Sequence, residues 1–197
     1  MEQVRQLAKR DAREVADLHA QGIRSGFLTK LGRGFLRELY IGICSSPSGF
    51  GYVWEDGGGR VLGFISCAED SGRLFKQVLL RRGMFMAVPL LRFTLSPATI
   101  RRMWQTLRYP TQTQEADLPA AEVLSIVVGD TARGRGTGKD LMAAALTEFV
   151  RRGISEVKVA VSLENSVAKG FYERCGFELT LTRTHHGRPM DIYVLRT

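Results

Sequence analysis

At 197 residues, 44% hydrophobic and 24% charged, the chain has the size and composition of one globular domain with a sizeable core, excluding disordered, collagen-like and multidomain proteins. Its net charge of +8 is localised: Arg73, Lys76, Arg81, Arg82, Arg92, Arg101, Arg102 and Arg108 stand between Ser71 and Gln114 with no acid, while 20 basic and 20 acidic residues balance elsewhere. Cys44, Cys67 and Cys175 fit neither a disulfide framework nor a zinc site, and the longest charge-free apolar run, Gly83 to Leu91, is far short of the ~18 residues of a membrane span.

With no signal-peptide pattern at the N-terminus, a soluble, cytoplasmic protein is expected. Gln3 to Leu7 reads as a strand, and Asp11 with Glu14 as an Asp variant of the capping box, opening a helix to about Ala20. After a glycine-containing loop, Phe35, Leu36, Leu39, Tyr40 and Ile43 recur at helical spacing until Ser45, Ser46 and Pro47. Tyr52 to Trp54 and Val61 to Cys67 are short strands joined across Asp56-Gly57-Gly58-Gly59, a hairpin signal. The basic stretch from 72 to 108 predicts two or three helices broken around Gly83, Pro89 and Ser96-Pro97, with a polar connector from Pro110 to Pro119. Together, 72–118 reads as an insertion within a single domain spanning 1–197.

Val123 to Val128 is a near-continuous apolar strand, followed by a glycine-rich turn and a helix with an apolar face of Leu141, Met142, Ala145, Leu146, Phe149 and Val150, ended by Gly153. Val157 to Val161 is another strand, and Asn165 to Cys175 a short helix ended by Gly176. The strands Phe177 to Thr184 and Asp191 to Leu195 then flank a turn at Gly187 and Pro189. The order is mixed α/β without internal repeat.

The turn Arg133-Gly134-Arg135-Gly136-Thr137-Gly138-Lys139 carries the chemistry. Glycines admit close backbone approach, and free N–H groups at a helix start favour phosphate. Two arginines and a lysine add positive charge, so physics alone makes this an anion cradle. A Walker A loop fails, because Arg133 stands where its first glycine belongs and Asp140 where its hydroxyl belongs. A dinucleotide fingerprint fails as well, since Lys139 and Leu141 occupy its third-glycine positions. What fits is Arg-x-x-Gly-x-Gly at Arg133, Gly136 and Gly138, behind a β run beginning at Glu122.

In register with Asn165-x-x-Ala168-x-x-Phe171-Tyr172-x-x-x-Gly176-Phe177 some thirty residues on, this pattern resembles the GNAT superfamily of coenzyme-A-dependent N-acetyltransferases. The resemblance covers most of the chain and departs at 72–118, longer than the usual link between third and fourth strands. It implies a central, mostly antiparallel twisted sheet of six to seven strands flanked by helices, the insertion being helical. It also implies acetyl-CoA as cosubstrate, with pyrophosphate on the N–H groups from Arg133 to Lys139 and the pantetheine arm beside Ile126, Val127 and Val128, near Asn165, Ala168 and Phe171. No metal is expected: His185 and His186 have no third ligand at metal spacing.

The implied reaction is direct attack of a primary amine on the acetyl carbonyl through a tetrahedral intermediate. A lysine-type amine is almost wholly protonated at neutral pH, so a base is needed, and Glu122 at the strand start is the candidate. A strand N–H near Val127 or Val128 is the oxyanion donor. Tyr172 matches the family tyrosine that protonates the leaving thiolate, although helical spacing alone also reads it as packing with Ala168, Phe171 and Cys175. Asn165 is both a helix cap and a pantetheine contact. The acceptor, an amino sugar or other small-molecule amine or a peptide, is expected between Gln21–Leu31, with Phe27 and Leu28, and the last hairpin, with His185 and His186.

Protein N-terminal or lysine acetylation is an alternative, as is a noncatalytic acyl-CoA-binding module. Nucleic acid is not expected as a partner, the basic segment lacking a recognition motif. A membrane-surface helix around Leu74 to Phe93 stays open, and so does a homodimer.

Overall fold

The computed structural model describes residues 2–24, 26–90, 118–185 and 188–196. Seven strands form one sheet: β1 (Gln3–Gln6), β2 (Gly49–Glu55), β3 (Val61–Ala68), β4 (Glu122–Val128), β5 (Glu156–Ser162), β6 (Glu178–His185) and β7 (Arg188–Arg196). Their spatial order is β1-β2-β3-β4-β5-β7-β6, and every neighbouring pair is antiparallel except β4–β5. Among the described residues the α-helices are α1 (Ala12–Gly22), α2 (Phe27–Lys30), α3 (Arg33–Ser45), α4 (Ser71–Leu90), α5 (Thr137–Arg151) and α6 (Ser166–Arg174).

Two apolar cores lie on opposite sheet faces. One packs Val15, Leu36, Tyr40, Phe64, Leu74 and Val127 beneath α1, α3 and α4. The other packs Ile65, Cys67, Val123, Leu141, Phe149 and Val159 beneath α5, and Tyr172 of α6 joins it. Strand alternation produces this division, since Phe64 and Val127 point one way and Ile65 and Ile126 the other.

Local expectations differ from the structure at two places. Asp11 and Glu14 make no capping box on α1: Asp11 takes a two-pronged bond from Arg5, whereas Glu14 accepts from the Val61 N–H across the core. Asp11 also accepts from the Ala8 N–H behind it, so its carboxylate faces back toward Arg5, where the two-pronged charge-assisted bond holds it, rather than forward onto α1. Gly83 does not break α4, because Leu74, Val78 and Met86 anchor the helix on either side of it. The further breaks expected around Ser96-Pro97 lie outside the described residues.

The three cysteines are free. No described helix is long and apolar enough to cross a membrane, and the described residues hold no cluster of three metal-ligating side chains.

Candidate functional site

The parallel pair β4–β5 is joined only at Glu122↔Lys158 and Val123↔Val159. Beyond that point β4 stays on β3 up to Val128↔Gly63, and β5 stays on β7 up to Ser162↔Met190. The two inner edges therefore part like a V, leaving backbone groups without ladder partners. The Gly129 N–H donates to the Leu62 carbonyl, so by alternation the polar groups of Val128 and Ile126 turn toward the opening. An extended ligand laid there finds strand-like partners.

A bulge shapes the same edge. Ser66 pairs with Ser125 and Cys67 with Val123, so Leu124 is an extra residue on β4. It stands one step beyond the last β4–β5 pair, where the V begins.

The glycine turn opens at the wide end of this V. Gly134 and Gly136 have φ of +75° and +86°, and a side chain at either would meet nothing within 4 Å, so the backbone there borders open space. Thr137 is buried with its hydroxyl on the Ala132 carbonyl, which leaves its N–H rather than its side chain for a ligand. No side chain caps the N-terminus of α5. The first amides of a 15-residue helix thus face the turn, which suits a diphosphate.

The cations are less free than their sequence suggests. Arg133 pairs with Asp130 at 2.7 Å and donates through Nε to the Val128 carbonyl, bracing the turn against the strand. Arg135 reaches Glu2 at 3.5 Å. Among the described residues Lys139 has no ion-pair partner, which leaves it the uncompensated positive charge at the helix start.

α6 closes the other side. Asn165 caps it, accepting from the Ala168 N–H at 3.1 Å, as local reading anticipates. Ala168 and Phe171 are half-buried in the second core, and the Phe171 ring lies 3.4 Å from where a Cβ on Gly138 would stand, so α6 packs against the start of α5 at ordinary contact distance. Tyr172 is buried between Phe171 and Phe177 in edge-on ring contacts. Burial, with Cys67 and Cys175 nearby, pushes its hydroxyl well above the usual phenol range.

Glu122 sits at the closed end of the V and is buried, not an exposed strand-edge carboxylate. Burial raises its carboxyl pKa and the Lys158 ammonium, 3.9 Å away, counteracts. Lys158 is itself only 2% exposed and donates to the Pro119 carbonyl. Among the described residues Oε2 of Glu122 has no hydrogen-bond partner, so this carboxylate keeps an acceptor in reserve.

The remaining candidates divide. Phe27 and Leu28 form part of α2 and pack half-buried on the first core, a docking role. His185 ends β6 opposite Arg188, and His186 lies outside the described residues.

Sequence reading missed a polar chain under α1 and α3. His19, 2% exposed, holds the Tyr40 hydroxyl through Nδ1 at 2.6 Å, and the paired residues Ser66 and Ser125 of β3 and β4 lower the pKa that burial raises on that hydroxyl. Burial lowers the His19 pKa to about 4, so the ring is neutral at physiological pH. Ser125, half-exposed on β4 beside the bulge, brings the chain to the edge of the V. No local pattern signals it, because its members come from two helices and two strands.

Comparison with known proteins bears on this geometry. A model of the family described as Acetyltransferase (GNAT) family matches residues 23–177, more than half of the chain. The chain belongs to the GNAT acetyltransferase family. A mycothiol acetyltransferase of Gordonia bronchialis is 36% identical over 77 residues, covering 39% of this chain and 25% of that protein. The chain spans between 21% and 41% of the length of the mycothiol acetyltransferases it matches. The GNAT fold recurs in the crystal structure of SsHAT (20% identity, TM-score 0.73, 99% of this chain and 98% of that one). It recurs also in the PaiA N-acetyltransferase of Thermoplasma acidophilum in complex with coenzyme A (14% identity, TM-score 0.62, 100% and 99%). The seven-stranded, mostly antiparallel sheet with its one parallel pair agrees with the GNAT expectation.

Proposed function

We propose that this GNAT chain transfers an acetyl group from acetyl-CoA to a primary amine. The observation that carries the reading is the V between β4 and β5, opening directly onto an uncapped helix start and a glycine turn. A diphosphate fits the amides from Arg133 to Lys139, and an extended amide-bearing arm fits the free edge at Ile126 and Val128. The Val128 carbonyl is already taken by Arg133, so its N–H is the group left for the arm. When bound, acetyl-CoA supplies an activated thioester.

The chain's own residues then have separable tasks. Glu122 takes the ammonium proton, directly or through water, burial raising its carboxyl pKa against the opposing pull of Lys158. A β4 amide that faces the opening, beside the Leu124 bulge or at Ile126 next to Val127, receives the developing oxyanion. Tyr172 donates a hydrogen bond to the departing sulfur. Its raised pKa keeps the phenol protonated and makes complete proton transfer to a thiolate unfavourable, so it steadies the leaving group and solvent finishes the protonation. The α2 loop and the final hairpin are the acceptor-facing walls. The likeness to proteins named mycothiol acetyltransferase supports trying mycothiol-related amines first among acceptors.

Thiol release tests the proposal. The full chain is incubated with acetyl-CoA and a panel of mycothiol-related amino sugars, aminoglycosides, polyamines and peptides with free N-termini. Acceptor-dependent release with loss of one amine supports it. Tight coenzyme binding without release across the panel would leave a binding module and overturn the catalytic reading.

A further inference from the structure

We infer that the outer side of the α1–α3–α4 layer is a docking surface for an anionic lipid bilayer. On α4, Leu74, Val78 and Met86 are buried against the first core, which fixes the orientation of the helix. Lys76, Leu80 and Met84 then follow at four-residue spacing along the opposite stripe, with Arg73 beside them. Leu80 is 77% exposed and Met84 80%, so most of each side chain stands in water. Leu79 and Phe85 flank them, about half-exposed.

The setting is cationic. α4 from Ser71 to Leu90 carries Arg73, Lys76, Arg81 and Arg82 and no acid. Arg82 is held by Glu38 of α3 and Arg81 by the Ser45 carbonyl, which ties α4 to the layer; Lys76 stands outward, and Arg73, 64% exposed, reaches back to Asp70 only at 4.0 Å. Between α1 and α3 runs an open groove lined by Lys9, Arg13 and Arg37, where the acid Asp17 is already paired with Arg33. The sequence beyond α4 continues the sign, with no acid before Glu115.

These features select one occupant. A second copy of the chain would set two like-charged rims against each other, which opposes association. A nucleic acid would satisfy the cations yet leave Leu80 and Met84 against phosphate and water. An anionic bilayer takes both, the aliphatic side chains entering the acyl boundary while arginine and lysine meet the headgroups. The V between β4 and β5 is built on other elements, so this inference stands apart from the acetyl-transfer reading.

Vesicle flotation of the full chain tests it, using vesicles of phosphatidylcholine alone and of equal parts phosphatidylcholine and phosphatidylglycerol. The expected result is flotation with the mixed vesicles at low salt, release as salt rises, and none with phosphatidylcholine alone. Leu80→Gln with Met84→Gln, both at exposed positions, should lower the partition about tenfold or more at an unchanged melting temperature. Arg73→Glu with Lys76→Glu should do the same. The inference is overturned if the wild-type chain floats with neither vesicle, or if the Leu80/Met84 variant floats as well as wild type. Duplex DNA binding, or a dimer abolished by the Leu80/Met84 variant, in a chain that ignores the mixed vesicles, would equally reject the bilayer and name the occupant.

Discussion

His19 shows how one buried side chain couples the fold to pH. Its ring stays neutral down to about pH 4, whereas the unfolded chain takes up that proton near the ordinary value of 6.5. The stability it contributes is therefore whole above 6.5 and is lost as pH falls toward 4, on the order of 3 kcal/mol at full loss. Urea titrations at steps across that window should show the decline, and His19→Gln should flatten it. Tyr172 is a residue of another kind, set by its ring packing and separable from it. Tyr172→Phe keeps the contacts with Phe171 and Phe177 and removes only the hydroxyl. Steady-state kinetics should show kcat lower by about 10²-fold or more, with KM for acetyl-CoA little changed.

At the scale of elements, glycines mark where backbone does the work, and two of them fail in different ways. At Gly136 the strain of φ +86° is the whole penalty, because no atom lies within 4 Å of an added Cβ. Gly136→Ala should cost about 1 kcal/mol in stability while weakening coenzyme binding, which calorimetry reads directly. At Gly22 an added Cβ would stand 2.5 Å from Val127 Cγ1, so Gly22→Ala should lift α1 from β4 and lower the melting temperature more. The ion pair between β4 and β5 has its own signature. Glu122→Ala leaves the Lys158 ammonium buried without its carboxylate, a loss of about 3–5 kcal/mol by denaturant unfolding. Adding Lys158→Met should restore most of it.

The elements were legible where sequence carries local periodicity or turn chemistry. The glycine turn, the α5 stripe ending before Gly153 and the hairpin at Asp56 all follow from residues within a few positions of each other. The candidate anion cradle was legible as a pattern for the same reason, since Arg133, Gly134, Gly136 and Gly138 lie within six positions. What stayed hidden depends on partners distant in the chain: Arg5 taking Asp11 from its expected cap, Lys158 facing Glu122, and His19 meeting Tyr40. Even the charges of Arg133 and Arg135 read differently once Asp130 and Glu2 are placed beside them.

For the whole molecule, the register of the sheet has a mechanical meaning. β1 to β4 form one continuous ladder and β5, β7 and β6 another, and two residue pairs stitch them, helped by the second core and the contact of Phe171 with Gly138. The protein is in this sense two leaves on a short spine. A guest strand lying in the gap would supply the missing rungs and fasten the leaves together. The Lys158 N–H donates to the Ala121 carbonyl, so by alternation Ala160 also faces the gap, and amide exchange at Ile126, Val128 and Ala160 should slow in concert when the cosubstrate is added, though these residues belong to different leaves.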